Sequence, residues 1–129
     1  MKVLEAIKSG SKILKEKNIP TYILDSEILL AKCLNTSREK ILINLEQKIY
    51  KKALANFNKY LIRRSKKEPI AYLLGEKEFW SKKFFVNKDT LIPRPETELL
   101  VEKLAIIFKK KRINILDIGT GSGCIIISL

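Results

Sequence analysis

Ile113-Asn114-Ile115-Leu116-Asp117-Ile118-Gly119-Thr120-Gly121-Ser122-Gly123-Cys124-Ile125 is the stretch whose reading decides the fold. Its first six residues form a short run of apolar and β-branched side chains stopped by glycine, which predicts a buried strand from Ile113 to Ile118. Gly119, Gly121 and Gly123 then alternate with Thr120 and Ser122. Glycine permits positive φ and lets a ligand approach the main chain with no Cβ in the way. Asp117 sets a carboxylate beside the turn, and a helix starting after it would offer N–H groups and partial positive charge. The spacing is not G-x-G-x-x-G, and no Gly-Lys-Ser/Thr follows, so neither the dinucleotide fingerprint nor a phosphate loop is indicated. Taken alone, the motif also suits a tight strand–helix turn that binds nothing.

The residues just upstream supply the context. Pro93-Arg94-Pro95 imposes an extended backbone. Pro95 suits the first turn of a helix, with Glu96 and Glu98 near its positive end. The spacing predicts that this helix reaches about Lys111, turning Leu100, Leu104, Ile107 and Phe108 inward. Lys109, Lys110, Lys111 and Arg112 would then stand at its negative end. Helix, strand, glycine turn and helix start, in that order, are the opening of a doubly wound α/β sheet. Further upstream, Glu76–Trp80 and Lys83–Val86 are short and aromatic, and predict a hairpin turning at Ser81-Lys82. Asn87-Lys88-Asp89 reads as a turn and Leu91-Ile92 as an extended piece.

The first 75 residues have a different period. Residues 2–16 place Val3, Leu4, Ile7, Ile13 and Leu14 on one stripe with Ser11, and Gly10 within it suggests close helix packing. Asn18-Ile19-Pro20 breaks the pattern. A second helix spans about Leu24 to Leu34 and stops at Asn35. Thr36-Ser37-Arg38-Glu39 has capping-box spacing and opens a short third helix to about Leu45. Tyr50 to Lys66 makes a fourth, with Leu54, Phe57, Leu61 and Ile62 inward. Pro69 to Leu74 makes one more turn, stopped by Gly75. Short helices with brief connections imply a small bundle whose apolar residues serve as core.

Composition narrows the function classes. The 129 residues hold 26 Lys/Arg, 14 Asp/Glu and no histidine, for a net charge of +12. Without histidine, the commonest general base and metal ligand is missing, and no metal site is expected. Residues 1–67 carry 16 basic against 6 acidic side chains, and residues 68–129 carry 10 against 8. The basic N-terminal part therefore suits an acidic protein or RNA phosphates as partner, or simply lysine-rich solvated helix faces. Lysine far outnumbers arginine and is not interleaved with aromatics, which argues against a base-reading surface and for no specific nucleic acid. Cys33 and Cys124 are far apart, as two buried thiols in a reducing cytoplasm would be. No apolar run approaches the ~20 residues of a membrane span, and the N-terminus is not a signal peptide.

Three segments together resemble a known family. They are Glu68-Pro-Ile-Ala-Tyr-Leu-Leu-Gly-Glu-Lys-Glu-Phe-Trp80, Thr90-Leu-Ile-Pro-Arg-Pro-Glu-Thr-Glu98 and Ile115-Leu-Asp-Ile-Gly-Thr-Gly-Ser-Gly123. In this order and spacing the chain resembles the release factor glutamine methyltransferases, the PrmC/HemK family. The third segment is common to methyltransferases that use S-adenosylmethionine; the first two are more specific. The resemblance implies a mainly α chain with a helical substrate-recognition domain at residues 1–75. A β-hairpin linker at 76–92 follows, then the first helix and strand of a Rossmann-like methyltransferase domain at 93–129. It implies methyl transfer to the side-chain amide of the Gly-Gly-Gln glutamine of peptide-chain release factors. Gly119, Thr120, Gly121, Ser122 and Gly123 would line the cofactor, and Arg94, Pro95, Glu96 and Thr97 would sit near the active-site mouth. Glu68, Tyr72, Phe79 and Trp80 would hold the interdomain architecture.

The family's Asn-Pro-Pro-Tyr motif, which grips the glutamine amide, is not among these residues, nor is the acidic residue expected after a second strand. The resemblance thus implies the front half of such an enzyme, with no catalytic residue of its own and no activity alone. Self-association through an exposed strand and the apolar Cys124–Leu129 tail is a further expectation. Two other readings stay open: a non-catalytic basic docking module, and part of a nucleic-acid methyltransferase.

Overall fold

A computed structural model describes residues 1–109 and 111–129; Lys110, assigned above to a helix end, lies outside the described residues. The chain divides into two compact units, Met1–Leu74 and Gly75–Leu129.

In the first unit the helices are α1 (Val3–Glu16), α2 (Tyr22–Cys33), α3 (Arg38–Ile43), α4 (Lys51–Ser65) and α5 (Ile70–Leu74). α1, α2 and α4 pack against one another around Val3, Leu14, Leu29, Leu30, Phe57 and Leu61. Gly10 makes the closest approach possible. A Cβ there would lie 2.5 Å from Ser26 Oγ and 2.8 Å from Phe57 Cζ, so any side chain would drive the helices apart. Ser26 Oγ uses the proximity, donating to the Ile7 carbonyl at 3.2 Å. Asn18 and Asn35 end α1 and α2 with φ of 55° and 50°, the left-handed conformation asparagine tolerates. The start of the chain is strapped to the loop before α4: Val3 N–H donates to the Gln47 carbonyl and Ile49 N–H to that of Met1, each at 3.0 Å.

A polar lock ties α2 to the end of α4. Asp25, 3% exposed, accepts from Arg64 Nε at 2.7 Å and from Thr21 Oγ1 at 2.8 Å. Arg64 Nη1 also donates to the Glu68 carbonyl at 3.0 Å. The Glu68 carboxylate accepts a two-pronged bond from Arg63, through Nε at 2.8 Å and through Nη2. Glu68 opens the first family-like segment, and its partners here, Arg63 and Arg64, are both on α4.

Several expectations are corrected here. Ser37, not Thr36, caps α3, accepting from Lys40 N–H at 3.3 Å. Ile13 and Ile62 are exposed rather than inward. Each lies next to a residue that is fully inward, Leu14 and Leu61, and the helical stripe has room for only one of each pair. Cys33 is half-buried rather than buried.

In the second unit, β1 (Glu76–Phe79) and β2 (Lys82–Phe85) form an antiparallel hairpin in which Phe79 pairs with Lys82. The two-residue turn is Trp80-Ser81, one position earlier than the sequence pattern suggests. Both residues have positive φ, 50° and 56°, as a two-residue hairpin turn of matching twist requires. Asp89 N–H donates to Asn87 Oδ1 at 2.9 Å, making the expected turn. A 3₁₀ turn, Pro95–Thr97, leads into α6 (Glu98–Ile107), and α7 (Cys124–Ser128) follows the glycine turn. Phe79 and Phe84 meet edge to face and cluster with Val101 of α6 and Cys124 of α7.

The predicted strand Ile113–Ile118 is not formed: among the described residues the sheet is the β1–β2 hairpin alone. A strand of this composition requires cover on both faces and a neighbour to receive its ladder bonds; here Leu116 and Ile118 are 84% and 87% exposed. Leu91-Ile92 likewise joins no sheet. α6 stops at Ile107, short of Lys111, and of its apolar residues Val101 is buried while Leu100, Ile107 and the following Phe108 are exposed. The helix start expected after the glycine turn is formed at Cys124–Ser128; Cys124 is buried while Ile127 and Leu129 of the apolar tail stay exposed.

Candidate functional site

The glycine turn builds a concave main chain. Gly119, Gly121 and Gly123 have φ of 80°, 57° and 77°, which L residues rarely adopt. They serve two ends. A Cβ on Gly119 would meet nothing within 4 Å, so that side of the turn is open to an approaching molecule. Gly123 is the N-cap of α7, where its left-handed φ of 77° turns the chain into the helix. Thr120 Oγ1 donates to the Asp117 carbonyl at 2.9 Å and Gly123 N–H to the Thr120 carbonyl at the same distance, fixing the curl. Among the described residues, Asp117 Oδ2 and Ser122 Oγ are enclosed without a hydrogen-bond partner. A carboxylate oxygen and a hydroxyl left unpaired are costly unless something polar meets them. The open face at Gly119 leaves the main chain accessible to a small molecule.

Arg94, Pro95 and Glu96 are exposed and Thr97 is half-buried, on the turn that enters α6. The next residue, Glu98, has a defined partner: its Oε1 accepts the Trp80 N–H at 2.8 Å. Sequence reading placed Glu98 only as a favourable charge at a helix start. Nothing local signals that its acceptor reaches a hairpin turn 18 residues upstream. Lys82 was missed in the same way; its Nζ donates to the Ile127 carbonyl at 2.8 Å.

An open apolar cleft of about 860 Å³ lies elsewhere in this unit, lined by Leu104, Phe108, Ile113, Ile115, Leu116 and Leu129, with Lys109, Lys111 and Arg112 also on its wall. Burial pushes the Cys33 thiol up to about 11, against a smaller opposing effect of Lys32. Among the described residues no cluster of His, Cys, Asp or Glu could hold a metal ion, and no helix is long and apolar enough to cross a membrane.

Residues 5–75 match the family model described as the PrmC N-terminal domain. This chain belongs to that family. Over 98% of its length it is 45% identical to a curated release factor glutamine methyltransferase of Leptospira interrogans, of which it covers 45%. It is 45% identical, over 95% of its length, to the release factor glutamine methyltransferase of Buchnera aphidicola subsp. Schizaphis graminum, covering 44% of that protein. A bifunctional methyltransferase of Rickettsia conorii is 35% identical over 98% of the chain, which covers 29% of it. The chain thus spans about half the length, or less, of the curated relatives it matches.

Proposed function

We propose that this polypeptide is the substrate-recognition and cofactor-entry part of an S-adenosylmethionine-dependent protein-glutamine methyltransferase acting on peptide-chain release factors in the cytoplasm. The observation that carries the reading is the 45% identity, over nearly the whole chain, to proteins named release factor glutamine methyltransferase. In this reading residues 1–75 are the recognition domain, 76–92 the linker, and 93–129 the opening of a Rossmann-like methyltransferase domain. Gly119, Thr120, Gly121, Ser122 and Gly123 hold the cofactor, with Arg94, Pro95, Glu96 and Thr97 near the substrate. The open face of Gly119 supports this placement.

The cofactor supplies an electrophilic methyl group. An amide nitrogen is a poor nucleophile because its lone pair is delocalised into the carbonyl, so catalysis is chiefly positioning and electrostatics. These 129 residues contribute cofactor-binding backbone and a docking surface. The lysine dominance of residues 1–67, without interleaved aromatics, supports an acidic protein face as the partner rather than RNA. The exposed apolar side chains of Ile113 to Ile118 support self-association at high concentration.

Calorimetric titration with S-adenosylmethionine, a methylation assay and binding to a release factor test this together. The chain should bind a release factor in a salt-sensitive manner, show at best weak cofactor binding, and transfer no methyl group. Tight, salt-resistant and sequence-selective RNA binding would favour the nucleic-acid reading. Release-factor binding without any cofactor affinity would favour a docking module.

A further inference from the structure

We propose that the Trp80-Ser81 turn is the device that positions the cofactor-binding glycine turn, and that Glu98 is its positioning residue. The inference rests on reading Gly119–Gly123 as the cofactor turn and says what sets its place.

The turn is unusual in its residues. A two-residue hairpin turn with positive φ at both positions normally takes Asn-Gly or Gly-Gly. Here a tryptophan at φ 50° and a serine at φ 56° occupy it, a conformation that a Cβ disfavours. Such a backbone persists only where its surroundings over-determine it. The bond to Glu98 does so, and a second contact ties the hairpin to another element. From α6, the Glu98 carboxylate takes the Trp80 N–H at 2.8 Å. From the other end of the turn, Lys82 Nζ donates to the Ile127 carbonyl at 2.8 Å, a cation at the C-terminal end of α7. Between these two ties, Phe79 and Phe84 share one cluster with Val101 of α6 and Cys124 of α7.

Six residues of hairpin therefore bracket both elements of the candidate site. α7 is in turn continuous with the glycine turn, whose last residue, Gly123, is its N-cap. A shift of the hairpin turn passes through Lys82 and Cys124 to α7, and through α7 to Gly123. Glu98, the last residue of the Thr90–Glu98 segment, is thereby accounted for as a positioning residue. Arg94 and Glu96, both exposed, remain for a substrate.

The test uses the 129-residue chain. Trp80 is its sole tryptophan, so its emission reports the turn, while amide exchange followed by NMR reports Gly123 and Ile127. Glu98→Ala should red-shift the emission and speed exchange at both amides by about fivefold or more, the lower range of site-to-site coupling. Amides of Leu14, Leu29 and Phe57 should keep their rates. Glu98→Gln, which retains a carbonyl acceptor, should restore most of the protection. Lys82→Met should speed Ile127 exchange without moving the emission. A shifted emission with Gly123 and Ile127 at parent rates would overturn the proposal, as would equal loosening of Leu14 and Leu29. The experiment contains no cofactor. If exchange is uncoupled while titration still shows weak S-adenosylmethionine binding, the positioning fails and the cofactor reading stands.

Discussion

The two units of this chain are built from similar proportions of apolar side chains and use them differently. In Met1–Leu74 the helices enclose one another, and Val3, Leu14, Leu29, Leu30, Ile41 and Phe57 are fully inward. In Gly75–Leu129 the buried apolar cluster is Phe79, Phe84, Val101 and Cys124, while Phe85, Leu99, Ile106, Leu116 and Ile118 face outward. The difference follows from the kind of element. An amphipathic helix satisfies its own backbone and needs only one covered face. A buried strand needs neighbours for its backbone and cover on both faces. Helices can therefore close a core locally, whereas Ile113–Ile118 cannot.

The comparison is broken most severely at the centre of the bundle. Phe57→Ala removes a fully buried ring and should cost about 3–5 kcal/mol. Urea unfolding followed by far-ultraviolet circular dichroism measures it. Trp80 emission, which reports the second unit, should keep its midpoint. A matching shift of the Trp80 transition would show that the two units unfold as one.

A smaller effect sharpens the packing argument. In a helix interior, alanine is favoured over glycine by about 1 kcal/mol. Gly10→Ala should nonetheless destabilise, by about 1–3 kcal/mol as overpacking does, because the new Cβ overlaps Ser26 and Phe57. A gain in stability would mean that α1 can retreat without loss.

The smallest effect is electrostatic. The bond from Arg63 holds the Glu68 carboxyl below its usual range, with a smaller contribution from charge attraction. Its folded-state pKa is lowered, so its contribution is complete above the unfolded value of about 4.3 and is lost as pH falls through the folded value. The pair is largely solvated, and Glu68→Gln should cost under ~1 kcal/mol at pH 7. It should also flatten the acid side of the stability profile; an unchanged profile would show the pair to be inert.

Much of the first unit was legible because helical period, asparagine stops and the odd glycine all act within a few residues of one another. Gly10 announced close packing before any partner was known, and Asn35 announced a helix end. Ile13 and Ile62 were misplaced because period alone does not say which of two adjacent apolar residues wins the inward position. The hairpin was legible, its register was not, since Trp80-Ser81 lacks the glycine or asparagine that marks such turns. The glycine turn was found from its composition. The contacts that hold it, Glu98 to Trp80 and Lys82 to Ile127, join residues 18 and 45 positions apart, and no local pattern encodes them. The strand was read from residue types whose fate depends on neighbours rather than on themselves.

Hydrogen exchange of the whole chain by mass spectrometry tests the central contrast most directly. At low micromolar concentration, peptides from α1, α2 and α4 should exchange only through opening of the whole bundle. Residues 111–118 should exchange close to the rate of an unstructured peptide, as backbone without a ladder does. Protection of 111–118 equal to that of α2, and independent of protein concentration, would contradict the account.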